Sequence, residues 1–271
     1  MELFDFLSYG FIKRALISGS LIAVLCSTLG VFLVLMRLSL IGDGLAHVTF
    51  GSISIGLLLR VYPVYVAIPI VMLSSLGILK LIERARVYGD TAIGIVSSLG
   101  IAIGVLIASA AGGFNTDLFS YLFGNILSIS KVEMIISMGL FAASFLIIIF
   151  FYNYLLALTF DEETAEVSGI NTRRIKTILF LLTALTVVLA MKIVGIMLIS
   201  ALLILPAVSS MQIARGFKMT VIISSLLGLL SVILGICISF LSDMPTGAVI
   251  VIINFIFFIF SFSYKRLSKR K

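Results

Sequence analysis

The sequence predicts an all-α integral membrane protein with about nine transmembrane helices, and not fewer than eight, in a single bundle. Of its 271 residues, 61% are hydrophobic and 11% are charged, and the mean hydropathy is +1.29. A soluble domain of this length needs a polar exterior that this composition does not supply, so lipid and neighbouring helices must cover the apolar side chains. We expect one transmembrane domain over residues 1–271, because no Pro/Ser-rich linker separates a second unit.

Nine apolar runs approach the ~20 residues that a membrane-spanning helix needs. They cover about residues 15–36, 40–60, 63–82, 91–112, 133–157, 176–194, 195–213, 219–241 and 246–264. The sixth and seventh runs are the least clearly separated, because Lys192 and Gly195 interrupt one long apolar stretch and Pro206 lies inside the second run. Eight spans with one broken segment are therefore the alternative.

Basic residues in the short connections predict the orientation. They lie in residues 83–90, in residues 158–176 and in the tail from Lys265 to Lys271, which nine spans place together on the cytoplasmic side. Lys13 and Arg14 disagree, since nine spans put the N-terminus outside. The net charge of +7 comes from such topology signals and not from a basic stripe with interleaved aromatic residues, so nucleic acid is not an expected partner.

Two ionisable residues lie inside the second apolar run. Asp43 and His47, the single histidine of the chain, belong to the segment SLIGDGLAHVTFGSISIG at 39–56. Such side chains are costly in a membrane helix unless they meet a partner, an ion or water, which makes both functional candidates. Their spacing of four residues puts them on one helical face, where both can reach a single cation. A carboxylate with an imidazole suits zinc, manganese or ferrous iron; the alternative is a hydrogen-bonded pair that only ties helices together.

The most polar internal segment is FDEETAEVSGINTRRIK at 160–176. The acidic residues 161–163 suit the positive first turn of a short helix and Gly169 suits its C-terminal stop, so we expect a helix over about 161–168. Thr172 is expected to cap the next span. This helix is either a cytoplasmic docking element for a partner or a solvated, capped turn.

A second short helix is expected on the opposite face of the membrane, beginning near Asp117. Phe119, Leu122 and Phe123 form its apolar side. Interfacial packing explains this pattern, and reception of an external partner is the alternative. No GxxxxGK[ST] motif occurs in the sequence, so no ATP-binding machinery is expected in this chain.

Five segments resemble the integral membrane subunits of zinc, manganese and iron ABC importers, the ABC-3 class. They are RLSLIGDGLAH at 37–47, DTAIGI at 90–95, DLFSYLFGNIL at 117–127, DEETAEVSGIN at 161–171 and VGIMLISALLILPAVSS at 194–210. They follow that family's order over nearly the whole chain. The resemblance implies a permease present in two copies in a prokaryotic cytoplasmic membrane, with two cytoplasmic ATPase subunits and an extracytoplasmic metal-binding protein. It implies no permanently bound cofactor and no enzymatic activity in this chain; zinc, manganese or iron would be the transported ion.

The same resemblance assigns roles to individual residues. Asp43 and His47 match the Asp and His that are thought to line the family's metal path. The segment Asp161–Gly169, which includes Glu162 and Ala165, matches the coupling helix that enters a groove on the ATPase. Gly195 and Pro206 are expected to shape a bent helix near the path.

Three other classes of protein are alternatives to a metal importer. A proton-coupled secondary metal transporter would use Asp43 as its proton carrier and would need neither an ATPase nor a dedicated cytoplasmic helix. An intramembrane aspartyl protease would need a GxGD element, of which Gly42 and Asp43 form only half because Leu40 occupies the position of the first glycine. A metalloprotease is disfavoured because HExxH is absent.

Overall fold

The computed structural model describes residues 10–111, 116–124, 130–191 and 194–268, and the regular structure in these ranges is entirely helical. In chain order the helices are α1 (Gly10–Leu35), α2 (Ile41–Leu58), α3 (Pro63–Ala85), α4 (Gly89–Ala110), α5 (Thr116–Phe123), α6 (Lys131–Phe150), α7 (Tyr152–Phe160), α8 (Glu162–Val167), α9 (Thr172–Ala190), a 3-10 helix (Ile196–Leu198), α10 (Ile199–Ile213), α11 (Phe217–Ser242) and α12 (Thr246–Ser268).

Six of the described helices are long and apolar enough to cross a membrane, namely α1, α2, α3, α4, α11 and α12. A seventh span results if α6 and α7, which meet at a 66° bend, cross the membrane as one unit. The predicted count of eight to nine is not confirmed. The difference lies in the sixth and seventh apolar runs: α9 begins with a strongly basic turn, and α10 has only 15 residues. Lys192 and residues 269–271 lie outside the described part of the chain.

Helices α1 and α2 lie in the interior of the bundle. The C-terminal half of α1 is buried almost without interruption and packs against α10 and α11. Hydroxyl groups connect α1 with α11, since Ser224 Oγ donates to the Ser27 carbonyl at 2.9 Å and the Thr28 and Ser225 hydroxyls lie 2.9 Å apart. Lipid tails are as apolar as the side chains, so the hydrophobic effect does not drive helices together inside a membrane. Interhelical hydrogen bonds of this kind contribute to their association instead.

Glycines allow α2 and α4 to touch backbone to backbone. A Cβ atom at Gly51 would lie 2.7 Å from the Gly100 carbonyl oxygen, and a Cβ atom at Gly100 would lie 2.7 Å from the Val48 nitrogen. Close approach through small residues is the usual way for membrane helices to gain packing contacts. The two helices are therefore fixed against each other along a surface that we call the α2–α4 interface.

Candidate functional site

The structure places Asp43 in the first turn of α2, with His47 one turn further on. His47 Nε2 lies 3.4 Å from Asp43 Oδ2, so the expected i, i+4 pair is formed. The Asp43 side chain is 48% exposed and that of His47 is 25% exposed. A carboxylate near the start of a helix is also stabilised by the positive end of the helix dipole. The pair is thus reachable from outside this chain although its helix is central.

A third side chain reaches the pair from α10. Ser200 Oγ donates to Asp43 Oδ1 across 3.4 Å, a long hydrogen bond between residues 157 positions apart in sequence. Sequence reasoning did not single out Ser200, because a serine in an apolar helix ordinarily bonds to a carbonyl of its own helix. Thr49 and Ser52 of α2 do this, as they donate to Leu45 and Val48 carbonyls at 2.7 and 2.8 Å. The hydrogens of these two hydroxyls are consequently engaged within α2, and both residues are buried.

Asp43 and His47 together offer one carboxylate and one imidazole, which are groups that can bind a cation. Within the described ranges, no group of three or more His, Cys, Asp and Glu side chains comes together to hold a metal ion. Structural zinc sites use four protein ligands and catalytic ones three. The pair alone would therefore be an incomplete coordination shell.

A turn at Gly195 precedes α10 and sets its starting point. Gly195 has φ +88° and begins the 3-10 helix, which contacts α2, α5 and α12. Pro206 lies inside α10 and is buried. The turn at Gly195 brings the first turn of α10 close to Asp43, whereas a bend at Pro206 stays a prediction.

Helix α8 forms where the sequence predicts a short cytoplasmic helix. Asp161 is its N-cap, accepting from the Thr164 backbone N–H at 3.1 Å and from the Thr164 hydroxyl. Both bonds lower the pKa of Asp161 below its ordinary value, and the bond from the Thr164 hydroxyl contributes more than the bond from the backbone N–H. At the other end, Gly169 at φ +84° donates to the Glu166 carbonyl and Ile170 donates to the Ala165 carbonyl, which is a Schellman motif. The predicted start and stop are confirmed.

The cap of the following helix differs from the prediction. Asn171, and not Thr172, caps α9, because its side-chain oxygen accepts from the Arg174 backbone N–H at 3.1 Å. Thr172 is the first residue of α9 and is buried. An Asn at the N-cap satisfies the same orphan amide that Thr172 was expected to satisfy, one position earlier.

Two ion pairs fasten α8 and α9 to the bundle. Lys176 Nζ of α9 contacts Glu162 of α8, and Arg173 Nε lies 3.2 Å from Glu83 Oε2 near the end of α3. Ala165 is only 2% exposed and faces the bundle, whereas Val167 is 90% exposed. Helix α8 therefore has an inner side that anchors it and an outer side that carries exposed Glu163, Glu166 and Val167.

The second predicted short helix is α5, at Thr116–Phe123. Leu122 is buried at 7% exposure, while Phe123 is largely exposed. The side chains of Asp117 and Phe119 lie outside the described part of the structure. Helix α5 connects α4 with α6, and α8 connects α7 with α9, so the bent pair α6–α7 separates the two short helices.

Six to seven candidate spans among the described residues, with an ionisable pair in a central helix, define a multi-pass membrane protein. The model of the ABC 3 transport family matches residues 8–265. This chain belongs to the ABC 3 transport family, the permease components of ABC transporters of the bacterial inner membrane. ATP hydrolysis in this family resides on a separate subunit.

Curated relatives and a solved structure resemble the chain over nearly its full length. The manganese transport system membrane protein MntC of Halalkalibacterium halodurans is 31% identical, with 95% of this chain and 88% of that protein covered. The high-affinity zinc uptake system membrane protein ZnuB of Haemophilus influenzae is also 31% identical, with 93% and 97% covered. The structure of PsaBC from Streptococcus pneumoniae in complex with Fab has a TM-score of 0.85 and 32% identity, with 96% and 95% covered.

Proposed function

We propose that this chain is the permease subunit of an ATP-driven importer of a divalent transition metal. Manganese and zinc are the leading cargoes, because the similar proteins MntC and ZnuB are named for these metals, and iron is the third. The observation that carries the proposal is the Asp43–His47 pair on a central helix, in which Nε2 and Oδ2 lie 3.4 Å apart and the side chains are 48% and 25% exposed. The metal is cargo in this proposal, and no resident cofactor is part of it.

Asp43 and His47 form a transient binding point on the metal path. A carboxylate oxygen and an imidazole nitrogen suit manganese, zinc and ferrous iron. The remaining ligands come from water, backbone carbonyls or the side chains of a second copy of this chain, since the pair is open to its surroundings. A closed tetrahedral site would retain its cargo, and an open pair allows the ion to leave.

The assembly that we propose contains two copies of this permease, two cytoplasmic ATPase subunits and an extracytoplasmic metal-binding protein. Helix α8 docks on the ATPase through its outer side, where exposed Val167 lies beside Glu163 and Glu166. Asp161 and Gly169 define the ends of this helix. Ala165 holds it on the bundle, and Glu162 ties it to α9 through Lys176. The complementary ATPase surface is accordingly apolar with basic residues at its rim.

Transport proceeds by alternating access. ATP binding draws the cytoplasmic subunits together, and α8 transmits this motion to the bundle. Only a difference in binding free energy between the outward-open and inward-open states can drive such an exchange. The nucleotide supplies it on the cytoplasmic side and the loaded binding protein supplies it outside.

The test is metal-stimulated ATP hydrolysis and metal uptake by the chain co-purified with its ATPase and binding protein in liposomes, with Mn²⁺, Zn²⁺ and Fe²⁺ compared. Asp43→Ala and His47→Ala are expected to abolish uptake while the complex still assembles. Thr49→Ala is the matched control, because the Thr49 hydroxyl bonds only within α2. Stimulation by one metal names the cargo.

Two outcomes would contradict the proposal. Wild-type uptake in both the Asp43 and the His47 variant would remove the pair from the metal path. Uptake driven by a proton gradient in the absence of any ATPase would identify a secondary transporter instead, with Asp43 as the proton carrier.

A further inference from the structure

We propose that Ser200 is a positioning residue for Asp43, and that the Gly195 turn, held between α5 and α12, determines where Ser200 lies. This inference rests on the proposed function, because it concerns the same metal path. It adds a connection from α5, which we expect on the membrane face opposite α8, to the carboxylate that we propose receives the ion.

The two oxygens of Asp43 have different partners. Oδ2 faces His47 Nε2 at 3.4 Å, and Oδ1 accepts from Ser200 Oγ at 3.4 Å. A hydroxyl beside Oδ1, although its hydrogen bond is long, favours the carboxylate rotation that directs Oδ2 at the imidazole. A cation between Asp43 and His47 would then meet one carboxylate oxygen rather than two. Partners of this kind around a metal ligand typically change metal affinity by about 10- to 100-fold.

Ser200 is unlike the other hydroxyl residues of its helix. Ser209 Oγ and Ser210 Oγ donate to carbonyls of α10 itself, at Leu205 and Ala207, both at 2.7 Å. Ser200 instead donates to a carboxylate on another helix. A Cβ atom at Gly42 would lie at an ordinary contact distance of 3.7 Å from Ser200 Cα and 2.4 Å from Leu203 Cδ1, so α10 packs directly against α2 at this level.

Backbone atoms of α5 and α12 lie close to the Gly195 turn on two sides. A Cβ atom at Gly195 would lie 2.5 Å from the Leu122 carbonyl oxygen and 2.5 Å from the Phe123 carbonyl carbon, both at the end of α5. A Cβ atom at Gly247, near the start of α12, would lie 1.9 Å from the Val194 carbonyl oxygen. These are backbone contacts, which cannot be relieved by a change of side-chain rotamer. The turn therefore has to follow any displacement of α5 relative to α12.

Four residues separate Gly195 from Ser200, namely the three of the 3-10 helix and the first residue of α10. Because so few residues intervene, we expect a shift of the turn to reach Ser200. Movement of α5 consequently shifts the Ser200 hydroxyl and so forms or breaks its hydrogen bond to Asp43 Oδ1. Binding of an external partner to α5 would thus change how strongly Asp43 binds the ion.

The first experiment compares the KM for Mn²⁺ and for Zn²⁺ with the maximal uptake rate in liposomes containing the full importer. Ser200→Ala is expected to raise the KM about 10-fold or more with a smaller effect on the maximal rate, because it misorients a ligand without touching the ATPase. Ser200→Thr, which keeps a hydroxyl, is expected to restore most of the affinity. Ser209→Ala, which removes a hydroxyl that bonds only within α10, is the matched control.

The second experiment tests the turn. Gly195→Ala is expected to raise the KM in the same direction, while Gly139→Ala, whose Cβ meets nothing within 4 Å, is expected to leave it unchanged. If both residues act through one contact, combining Gly195→Ala with Ser200→Ala will raise the KM little beyond the larger single effect.

A wild-type KM in Ser200→Ala, the same rise in Ser209→Ala, or loss of affinity in Ser200→Thr equal to that in Ser200→Ala would overturn the role of the hydroxyl. Effects of the two single variants that multiply in the double variant would overturn the connection to the turn. Absence of ATP-driven uptake in the wild type would instead refute the proposed function itself. Failure of this inference alone is therefore recognised when the wild type shows ATP-driven uptake and the KM of Ser200→Ala equals that of the wild type.

Discussion

Replacement of Gly100 by alanine tests whether the α2–α4 interface determines the position of His47. The added Cβ atom would lie 2.7 Å from the Val48 nitrogen and Cα and 2.9 Å from the His47 carbonyl carbon. All three are backbone atoms of α2, so no side chain can rotate away. The helix itself has to move.

The required displacement follows from these distances. Ordinary contact of a Cβ atom begins at 3.4 Å, so the backbone of α2 must recede by at least about 0.7 Å at Val48. Overpacking of this kind costs about 1–3 kcal/mol. Because the receding segment includes His47, the pair with Asp43 is disturbed as well, and an altered ligand geometry typically costs about 10-fold or more in metal affinity.

The matched control is Gly94→Ala on the same helix, where an added Cβ meets nothing within 4 Å. Alanine is favoured over glycine inside a helix by about 1 kcal/mol, so this variant is expected to be neutral or slightly stabilising. The assay is thermal aggregation of the detergent-purified complex together with metal uptake in liposomes. Gly100→Ala is expected to lower the midpoint temperature of aggregation. It is also expected to reduce metal uptake per mole of folded complex, so that a smaller amount of folded protein does not account for the whole loss.

Equal behaviour of the two variants would refute the reasoning. If Gly100→Ala retains both the wild-type midpoint and wild-type uptake, then α2 and α4 are not in backbone contact during transport. If it lowers stability but leaves the KM for the metal unchanged, then the position of His47 does not depend on this interface.

Three further predictions concern the ion pair and the docking helix. His47→Gln, with Asp43 intact, is expected to raise the KM for Zn²⁺ more than that for Mn²⁺, since zinc prefers imidazole and manganese accepts oxygen ligands; equal shifts measured in uptake assays would contradict this. The lowered pKa of Asp161 means that its cap on α8 is fully present above pH 3.8 and is lost as the pH falls through the lower folded-state pKa. Because acidification acts on the rest of the interface in both proteins, co-purification of the ATPase should fall further in the wild type than in the non-titrating Asp161→Asn, and an equal fall would contradict a role of the cap. Gly169→Ala forces a side chain into the left-handed region at φ +84° at a cost of about 1–2 kcal/mol, and a weakened ATPase pull-down with an intact bundle is expected; unchanged binding would show that the end of α8 does not contribute to docking.

Local chemistry in the sequence was sufficient to predict α8. The acidic start, the glycine stop and the surrounding apolar runs all act within a few residues, and the structure follows them at Asp161 and Gly169. The same reasoning missed by one residue at the cap of α9, because Asn171 and Thr172 are both good caps and the choice depends on how the preceding Schellman motif directs the chain.

Contacts between residues far apart in the sequence could not be predicted from local patterns. The pairing of Asp43 with His47 follows from helical spacing, whereas the bond from Ser200 depends on how α10 crosses α2, which no local pattern encodes. The span count has the same origin. Hydropathy identified an apolar run at 195–213, yet the Gly195 turn takes its first residues out of α10, and this depends on packing against α5 and α12.

The connections around α8 leave almost no slack in the chain. One residue joins α7 to α8, and the four residues between α8 and α9 are all engaged in the hydrogen bonds of the two caps or of the Schellman motif. Helix α8 therefore has little freedom to shift without carrying α7 and α9 with it. Helix α7 meets α6 at a 66° bend, and Arg173 of α9 pairs with Glu83 of α3. If α8 docks on the ATPase as proposed, even a small movement of that partner would therefore displace helices inside the bundle.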